Sequence, residues 1–409
     1  MDTHYSVIIV GGGQAGLAIS YLLKQQNIQH LIFEKNTIGH AWRNQRWDSF
    51  CLVTPNWQCQ LPGFPYAAGD DQGFMEKEKI VEYLESYAAS FQPPIREGVA
   101  VNRLTRRDNR FELTTTAGDF SADQVIIATG GYHTPKIPAI ATQFPEHIIQ
   151  LHSVNYKNPE SLPDNVLVVG TGQSGCQIAE DLHLAGKTVH LATGSAPRAP
   201  RRYRGKDVVE WLDLMGYYDL PIDEHPQKET VRHKTNHYLT GRDGGRDIDL
   251  RKFALEGMYL YGRLDTIDHE QITFVDNLAE NLDQADGTVA RLKKNIDAYI
   301  TEHQLSAPTE KPYEPLWEPE NPPLTLETKA IDVVIWSTGF NFNYDWVDLP
   351  VFDGAGEPIH DRGVTDLDGL YFIGLPWLYT WGSGRFSGVA RDAEYLADKI
   401  SARIPTPSM

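Results

Sequence analysis

Two short glycine-rich stretches hold the residues best suited to chemistry. Gly11, Gly13 and Gly16 are spaced G-x-G-x-x-G, with Gln14 and Ala15 ahead of the last glycine. The same spacing returns at Gly170, Gly172 and Gly175, around Gln173 and Ser174. Glycines so spaced let the backbone turn sharply and approach a pyrophosphate, which then meets the free N–H groups of a helix N-terminus. The residues downstream of the two turns differ. About 20 residues beyond the first glycine, an acid accepts hydrogen bonds from ribose hydroxyls, and Glu34 stands in that place. The matching position beyond the second turn is Thr193, with Ser195, Arg198, Arg201, Arg202 and Arg204 after it. A carboxylate repels a 2′-phosphate, whereas a neutral residue ahead of guanidinium groups welcomes one. The first site is therefore expected to take FAD and the second NADPH. Ser195, Arg201 and Arg202 are the candidates for the phosphate, and the spacing does not choose between the arginines. The bland alternative for them is a solvated loop.

Each turn must sit between a strand and a helix. The runs Ser6–Val10 and Asn165–Val169 read as buried parallel strands, and Leu17–Leu23 and Cys176–Leu182 as apolar-periodic helices that start at the last glycine. His30–Phe33 and Thr188–Leu191 supply the next strands. Asp123–Gly130 and Asp332–Gly339 are strand runs ending in Thr-Gly, each closing one dinucleotide-binding unit. The fold expected is α/β, with two Rossmann-like dinucleotide-binding domains. A charged amphipathic helix is expected over 279–305, and a proline-rich surface excursion over 308–323. The polar glycine-rich loop 238–250 is expected to fold against the flavin or substrate side, with no role assigned.

Composition narrows the classes. The formal charge of −18 argues against general affinity for nucleic acid or an anionic membrane. No apolar run of about 18 residues occurs, and the N-terminus lacks a basic n-region before an apolar stretch. Three cysteines, Cys51, Cys59 and Cys176, fit a reducing compartment, so a cytoplasmic location is expected. They contain no C-x-x-C or similarly close pair, which excludes a dithiol disulfide reductase, and they read as small buried apolar side chains. No metal-ligand spacing and no nucleophile–histidine signature is present. Asn56, Gln58 and Gln60 are candidate catalytic donors toward a flavin edge; the bland alternative is loop solvation. Trp377–Phe386, aromatic beside glycines, reads as a wall of a substrate cavity in which Arg385 would meet an anionic substrate or a flavin oxygen. The bland alternative is domain packing.

With these motifs in place, the chain resembles the flavin-dependent monooxygenases that include N- and S-oxygenating enzymes and plant indole-pyruvate monooxygenases. The resemblance covers nearly the whole chain. It rests on the two glycine motifs, Glu34-Lys35, Ala41-Trp42-Arg43, Ala128-Thr129-Gly130, Ser337–Phe340 and Gly369–Gly374. It implies an NADPH domain inserted in a split FAD domain: 1–160 and 336–409 for FAD, 161–335 for NADPH. It places Lys35, Trp42, Arg43, Val101, Thr129, Gly130, Gly374 and Ser387 at FAD, beside Gly11, Gly13, Gln14, Ala15, Gly16 and Glu34. Of the family's F-x-G-x-x-x-H fingerprint and the aromatic residue after it, His152 and Tyr156 are in place and the glycine is missing. His152 would orient the linker between domains. The implied activity consumes NADPH to reduce FAD and inserts one atom of O2 into a small organic substrate through a C4a-(hydro)peroxyflavin. The alternatives are a flavoprotein reductase, dehydrogenase or oxidase without oxygenation, or a flavin redox sensor. Expected partners are O2 and a small molecule, with room for a homodimer.

Overall fold

Aliphatic and β-branched runs without polar alternation make strands buried on both faces, and such strands assemble in parallel. The chain does this twice. The computed structural model describes residues 3–67 and 69–404. In it, β1 (His4–Val10), β2 (His30–Glu34), β3 (Ile95–Glu97), β4 (Val101–Arg107), β5 (Arg110–Thr115) and β6 (Gly118–Ile127) line up as β3-β2-β1-β6-β5-β4. The first four in that order run parallel, and β5 and β4 continue antiparallel.

A second sheet is parallel throughout. β7 (Ile149–His152), β8 (Asn165–Val169), β9 (Thr188–Ala192), β10 (Tyr259–Tyr261) and β11 (Val333–Trp336) stand in the order β7-β11-β8-β9-β10. β12 (Leu370–Phe372) then returns to the first sheet and pairs parallel with β6, Val125 opposite Leu370. All of the second sheet thus lies, in sequence, between two neighbouring strands of the first.

Helices cover the sheets with one apolar stripe each. α1 (Gln14–Gln25), α2 (Lys77–Phe91) and α5 (Val389–Ser401) share a core with β1. In α5, Val389, Ala393, Leu396, Ala397 and Ile400 fall at helical spacing and are buried. α3 (Gln173–Leu184) covers the second sheet through Ile178, Ala179 and Leu182. Both α1 and α3 begin two residues before the last glycine of their motifs, because Leu17 N–H already bonds the Gly13 carbonyl and Cys176 N–H the Gly172 carbonyl. The expected amphipathic helix is α4, Leu278–Glu302. The proline-rich segment after it is fastened down. Tyr313 lies under the Arg198 guanidinium at 4.7 Å and donates to Asp249 at 2.9 Å, and the Trp317 carbonyl accepts from Arg251. Among the described residues, no helix is long and apolar enough to cross a membrane, and no group of three His, Cys, Asp or Glu is placed to hold a metal.

Candidate functional site

The two glycine turns repeat one another in atomic detail. Gly11 has φ +112° and Gly170 φ +104°, a left-handed region that a side chain resists. A Cβ on Gly16 would fall 1.9 Å from the Gly11 carbonyl oxygen, and one on Gly175 would fall 1.9 Å from the Gly170 carbonyl oxygen. These glycines let helix and strand close on each other. Gly13 and Gly172 differ from them: a Cβ on Gly13 would meet nothing within 4 Å, and one on Gly172 only the Thr235 methyl at 3.8 Å. The middle glycines therefore face open space at a helix N-terminus, where a pyrophosphate fits. Ser337 Oγ, just past β11, and Ser387 Oγ, just before α5, are buried without a hydrogen-bond partner. A buried hydroxyl left so is one that a ligand can satisfy.

Glu34 ends β2 beside the first turn. Its carboxylate accepts from the Gly12 and Asn36 amides, both at 2.8 Å, which fixes its orientation. Trp42 Nε1 donates to Gln14 Oε1 at 3.3 Å, and Gln14 Nε2 donates to the Gly384 carbonyl at 3.1 Å, so Gln14 ties the turn to the loop before α5. Gly374 has φ +83° and comes so close to Ala15 that a Cβ would lie 2.7 Å from its methyl. Thr129 and Gly130 come just after β6 at the same sheet end, while Val101 starts β4 at the sheet's far edge. Lys35 is exposed. Arg43 is turned outward onto Glu85. The cation on the inner side is Arg46, which sequence reasoning missed: its guanidinium lies 5.0 Å from the Trp42 ring and 5.5 Å from the Phe50 ring.

At the second turn, Thr193 is buried against the Tyr261 carbonyl and Ser195 is exposed. Of the two candidate arginines, Arg201 departs from the sequence reading. Arg201 is 1% exposed. Its Nε and Nη2 make a two-pronged bond to Asp207, at 2.7 and 2.5 Å, its Nη1 donates to the Val53 carbonyl at 3.1 Å, and Phe74 lies 4.5 Å from it. A guanidinium already neutralised and enclosed in this way is not available to a phosphate. Arg198 is held by Asp249 and Asp286, and Arg204 by Asp297. Arg202 is exposed, with its two terminal nitrogens on the carbonyls of Gly245 and Gly244.

The loop residues Asn56, Gln58 and Gln60 do not form one cluster of donors. Asn56 is buried and donates to the Asp70 carbonyl at 2.8 Å, leaving its Oδ1 unpartnered. Gln58 is buried beside Asp213, whose carboxyl burial pushes up and this amide pulls down. Gln60 is exposed, with its amide on the Trp57 carbonyl at 2.9 Å. The three cysteines are free, and burial pushes the Cys51 thiol to about 11 and the Cys59 thiol to about 12.

Another missed group joins the two halves. Asp181, on α3, is 3% exposed and accepts from Ser49 Oγ at 2.7 Å, from Tyr156 Oη at 2.6 Å and from Arg242. Arg242 belongs to the polar glycine-rich loop, which seats on the Cys51–Pro55 strand: a Cβ on Gly241 would lie 2.0 Å from the Leu52 carbonyl oxygen. His152, at the end of β7, meets the Gly339 carbonyl at 2.9 Å and packs edge-on against Phe340, fastening the linker to the end of β11.

Comparisons with known proteins bear on the family and the fold. The model of the family described as pyridine nucleotide-disulphide oxidoreductase matches residues 8–238, a span that holds both glycine turns. The uncharacterized oxidoreductase CzcO-like protein of Geobacillus kaustophilus is 34% identical over 399 residues, covering 96% of this chain and 97% of that protein. A probable indole-3-pyruvate monooxygenase of Arabidopsis thaliana is 31% identical over 219 residues, about half of each chain. The structure of a flavin-containing monooxygenase from Stenotrophomonas maltophilia matches in fold, with a TM-score of 0.65 at 19% identity over 98% of this chain and 99% of that one. The chain belongs to the pyridine nucleotide-disulphide oxidoreductase family, and it is a flavin-dependent oxidoreductase similar over nearly its whole length to the CzcO-like proteins.

Proposed function

We propose that the protein is an FAD-dependent, NADPH-consuming monooxygenase acting on a small organic molecule. The observation that supports this reading best is the pair of matching turns with unlike ribose surroundings. Glu34 stands beside the first, and neutral Thr193 and Ser195 come after the second. On this reading residues 1–160 and 336–409 form a split FAD domain around an NADPH domain of 161–335. FAD, when bound, supplies an acceptor for the hydride of NADPH and a means of activating O2.

The chain's own part is binding, orientation and exclusion of water. The amides at Gln14 and Gln173, each at the start of a helix, would hold pyrophosphate oxygens. Glu34, already aligned by two amides, keeps free lone pairs for ribose hydroxyls. Trp42, Phe50 and Phe386 pack on one another beside the first turn and close that side to water. The N-terminus of α5, next to Ser387, favours negative charge on a nearby ring. Burial pushes the Cys51 and Cys59 thiols up, away from the thiolate that disulfide exchange uses.

The test is a purified, FAD-loaded protein turned over with NADPH under isotope-labelled O2 and a panel of small amines, sulfides and 2-oxo acids. Labelled oxygen in a product, seen by mass spectrometry, with NADPH favoured over NADH, is the expected result. NADPH consumption that yields only hydrogen peroxide for every compound would make the protein an oxidase instead.

A further inference from the structure

Most buried or half-buried arginines here are neutralised by acids, as a chain of formal charge −18 allows. Two arginines that are not so paired bear on one place. Arg385, in the loop before α5, is half-buried, and its Nη2 donates to Asn236 Oδ1 at 2.9 Å. Arg291, on α4 and more exposed, donates to Thr288 Oγ1 at 3.3 Å. Among the described residues neither has a carboxylate within ion-pair distance. α4 brings Arg291 to this place, because the next residue, Leu292, packs in one apolar cluster with Tyr218 and Trp381, the ring beside Arg385. Burial, then Arg291 and Arg385, push the imidazole of His237 down to about 4, so it is neutral near pH 7.

Around these cations stands an aromatic wall. The Arg385 guanidinium lies 5.1 Å from the Trp381 ring, Tyr218 stacks on Trp381 at 5.1 Å with 5° between planes, and His237 meets it edge-on at 6.1 Å. Asn236 Oδ1 accepts from both Trp381 Nε1, at 3.0 Å, and Arg385, which holds the two side by side. The loop carrying Arg385 is bonded to the first glycine turn through Gln14 and to the Gln60 amide through the Phe386 carbonyl, at 3.4 Å. Thr235, next to Asn236, borders Gly172 of the second turn. The cluster therefore bridges the two turns, where a substrate would meet both cofactors.

We propose that Arg385 and Arg291, with Asn236 and Trp381, form a recognition site for the carboxylate of a planar or aromatic substrate. The inference rests on the flavoenzyme reading above and names the substrate class of that site. A guanidinium with one of its five N–H groups engaged keeps an edge free for two-pronged bonding to a carboxylate. The half-buried indole, stacked on Tyr218, presents an aromatic edge beside the guanidinium for the rest of the molecule. The pyrophosphates have their own amide donors at the two helix N-termini.

The test uses the FAD-loaded protein, with benzoate and benzamide as probes that differ in charge but scarcely in shape. Binding is monitored by the change in flavin absorbance and in tryptophan fluorescence. The expected result is benzoate binding at least about tenfold tighter than benzamide, the order of a charge-assisted pair over a neutral one. Arg385→Met and Arg291→Met should each weaken benzoate at least fivefold while leaving benzamide where it was. Equal binding of the two probes by the unmodified protein, or no saturable benzoate effect, would overturn the proposal without any variant being made. So would variants whose loss falls on NADPH affinity instead of on benzoate, since the arginines would then serve the cofactor's phosphates. A protein that takes up no FAD refutes the flavoenzyme reading itself, a failure visible before any benzoate is added.

Discussion

Replacing Arg201 by Met separates two roles that the same residue type could play. If Arg201 held a 2′-phosphate, the variant would bind NADPH poorly and fold normally. The structure makes the opposite demand. Arg201→Met keeps the apolar stem against Phe74 but strips Asp207 of both guanidinium bonds, leaving a carboxylate only 4% exposed. Removing one partner of a buried ion pair costs about 3–5 kcal/mol. One backbone donor remains to Asp207, from the Val209 amide at 2.9 Å, so the lower half of that range, about 3–4 kcal/mol, is expected. At roughly 2–4 °C per kcal/mol for a unit of 150–250 residues, the melting temperature should fall by about 6–16 °C. Differential scanning fluorimetry of the FAD-loaded protein measures this, and steady-state kinetics give KM for NADPH. The double variant Arg201→Met/Asp207→Asn should recover part of the loss, because the orphaned charge is gone. A melting temperature unchanged within 2 °C of the parent, with KM for NADPH raised tenfold, would refute the reasoning and restore Arg201 to the phosphate.

The same geometry sets other outcomes. Asp181→Asn turns an acceptor for three donors into a group that carries donors of its own, and should cost about 2–3 kcal/mol in chemical denaturation and slow NADPH-driven flavin reduction more than it weakens FAD binding; unaltered stability and reduction rate would show that Asp181 does not join the halves. Gly16→Ala and Gly175→Ala each place a Cβ 1.9 Å from a carbonyl oxygen, an overpacking cost of about 1–3 kcal/mol or more; the first should release FAD and the second should weaken NADPH while FAD stays, as equilibrium dialysis would report. Asp392, 1% exposed at the first turn of α5, has its carboxyl pushed from 3.8 to about 6, chiefly by burial. The folded state then keeps a proton that the unfolded state has lost, so this residue's contribution falls as pH rises from about 4 to about 6, by about 3 kcal/mol at 1.36 kcal/mol per unit. Asp392→Asn should flatten that part of the stability profile, and an unchanged profile from pH 4 to 7 would contradict it.

The glycine motifs were legible because their function is local: strand, turn and helix are contiguous, and the spacing alone specifies who touches whom. Glu34 was legible for the same reason, being one strand away from its turn. The arginines were not. Arg198 and Arg204 find their acids, Asp286 and Asp297, on α4, some ninety residues further on. Nothing in the local pattern tells a neutralised arginine from a free one. Asp181 is likewise a plain acid on an amphipathic helix until Ser49, 132 residues earlier, folds against it. The proline-rich stretch read as an excursion because its anchors, the Tyr313 side chain and the Trp317 carbonyl, belong to single residues without periodicity. Only tertiary contact gives them a place.

The return of β12 to β6 has a consequence for how the chain is made. The strand edge at Val125–Ile127 must wait for Leu370–Phe372, and in that interval the ribosome delivers the entire second sheet. That second sheet is complete once β11 has come between β7 and β8, whereas the first at that point still lacks β12, so the flank at Val125–Ile127 leaves unpaired backbone groups open to any other chain. Release from synthesis before residue 370 should therefore yield a product prone to association through that flank, and late closure of a long loop should make the first sheet the slower of the two to mature.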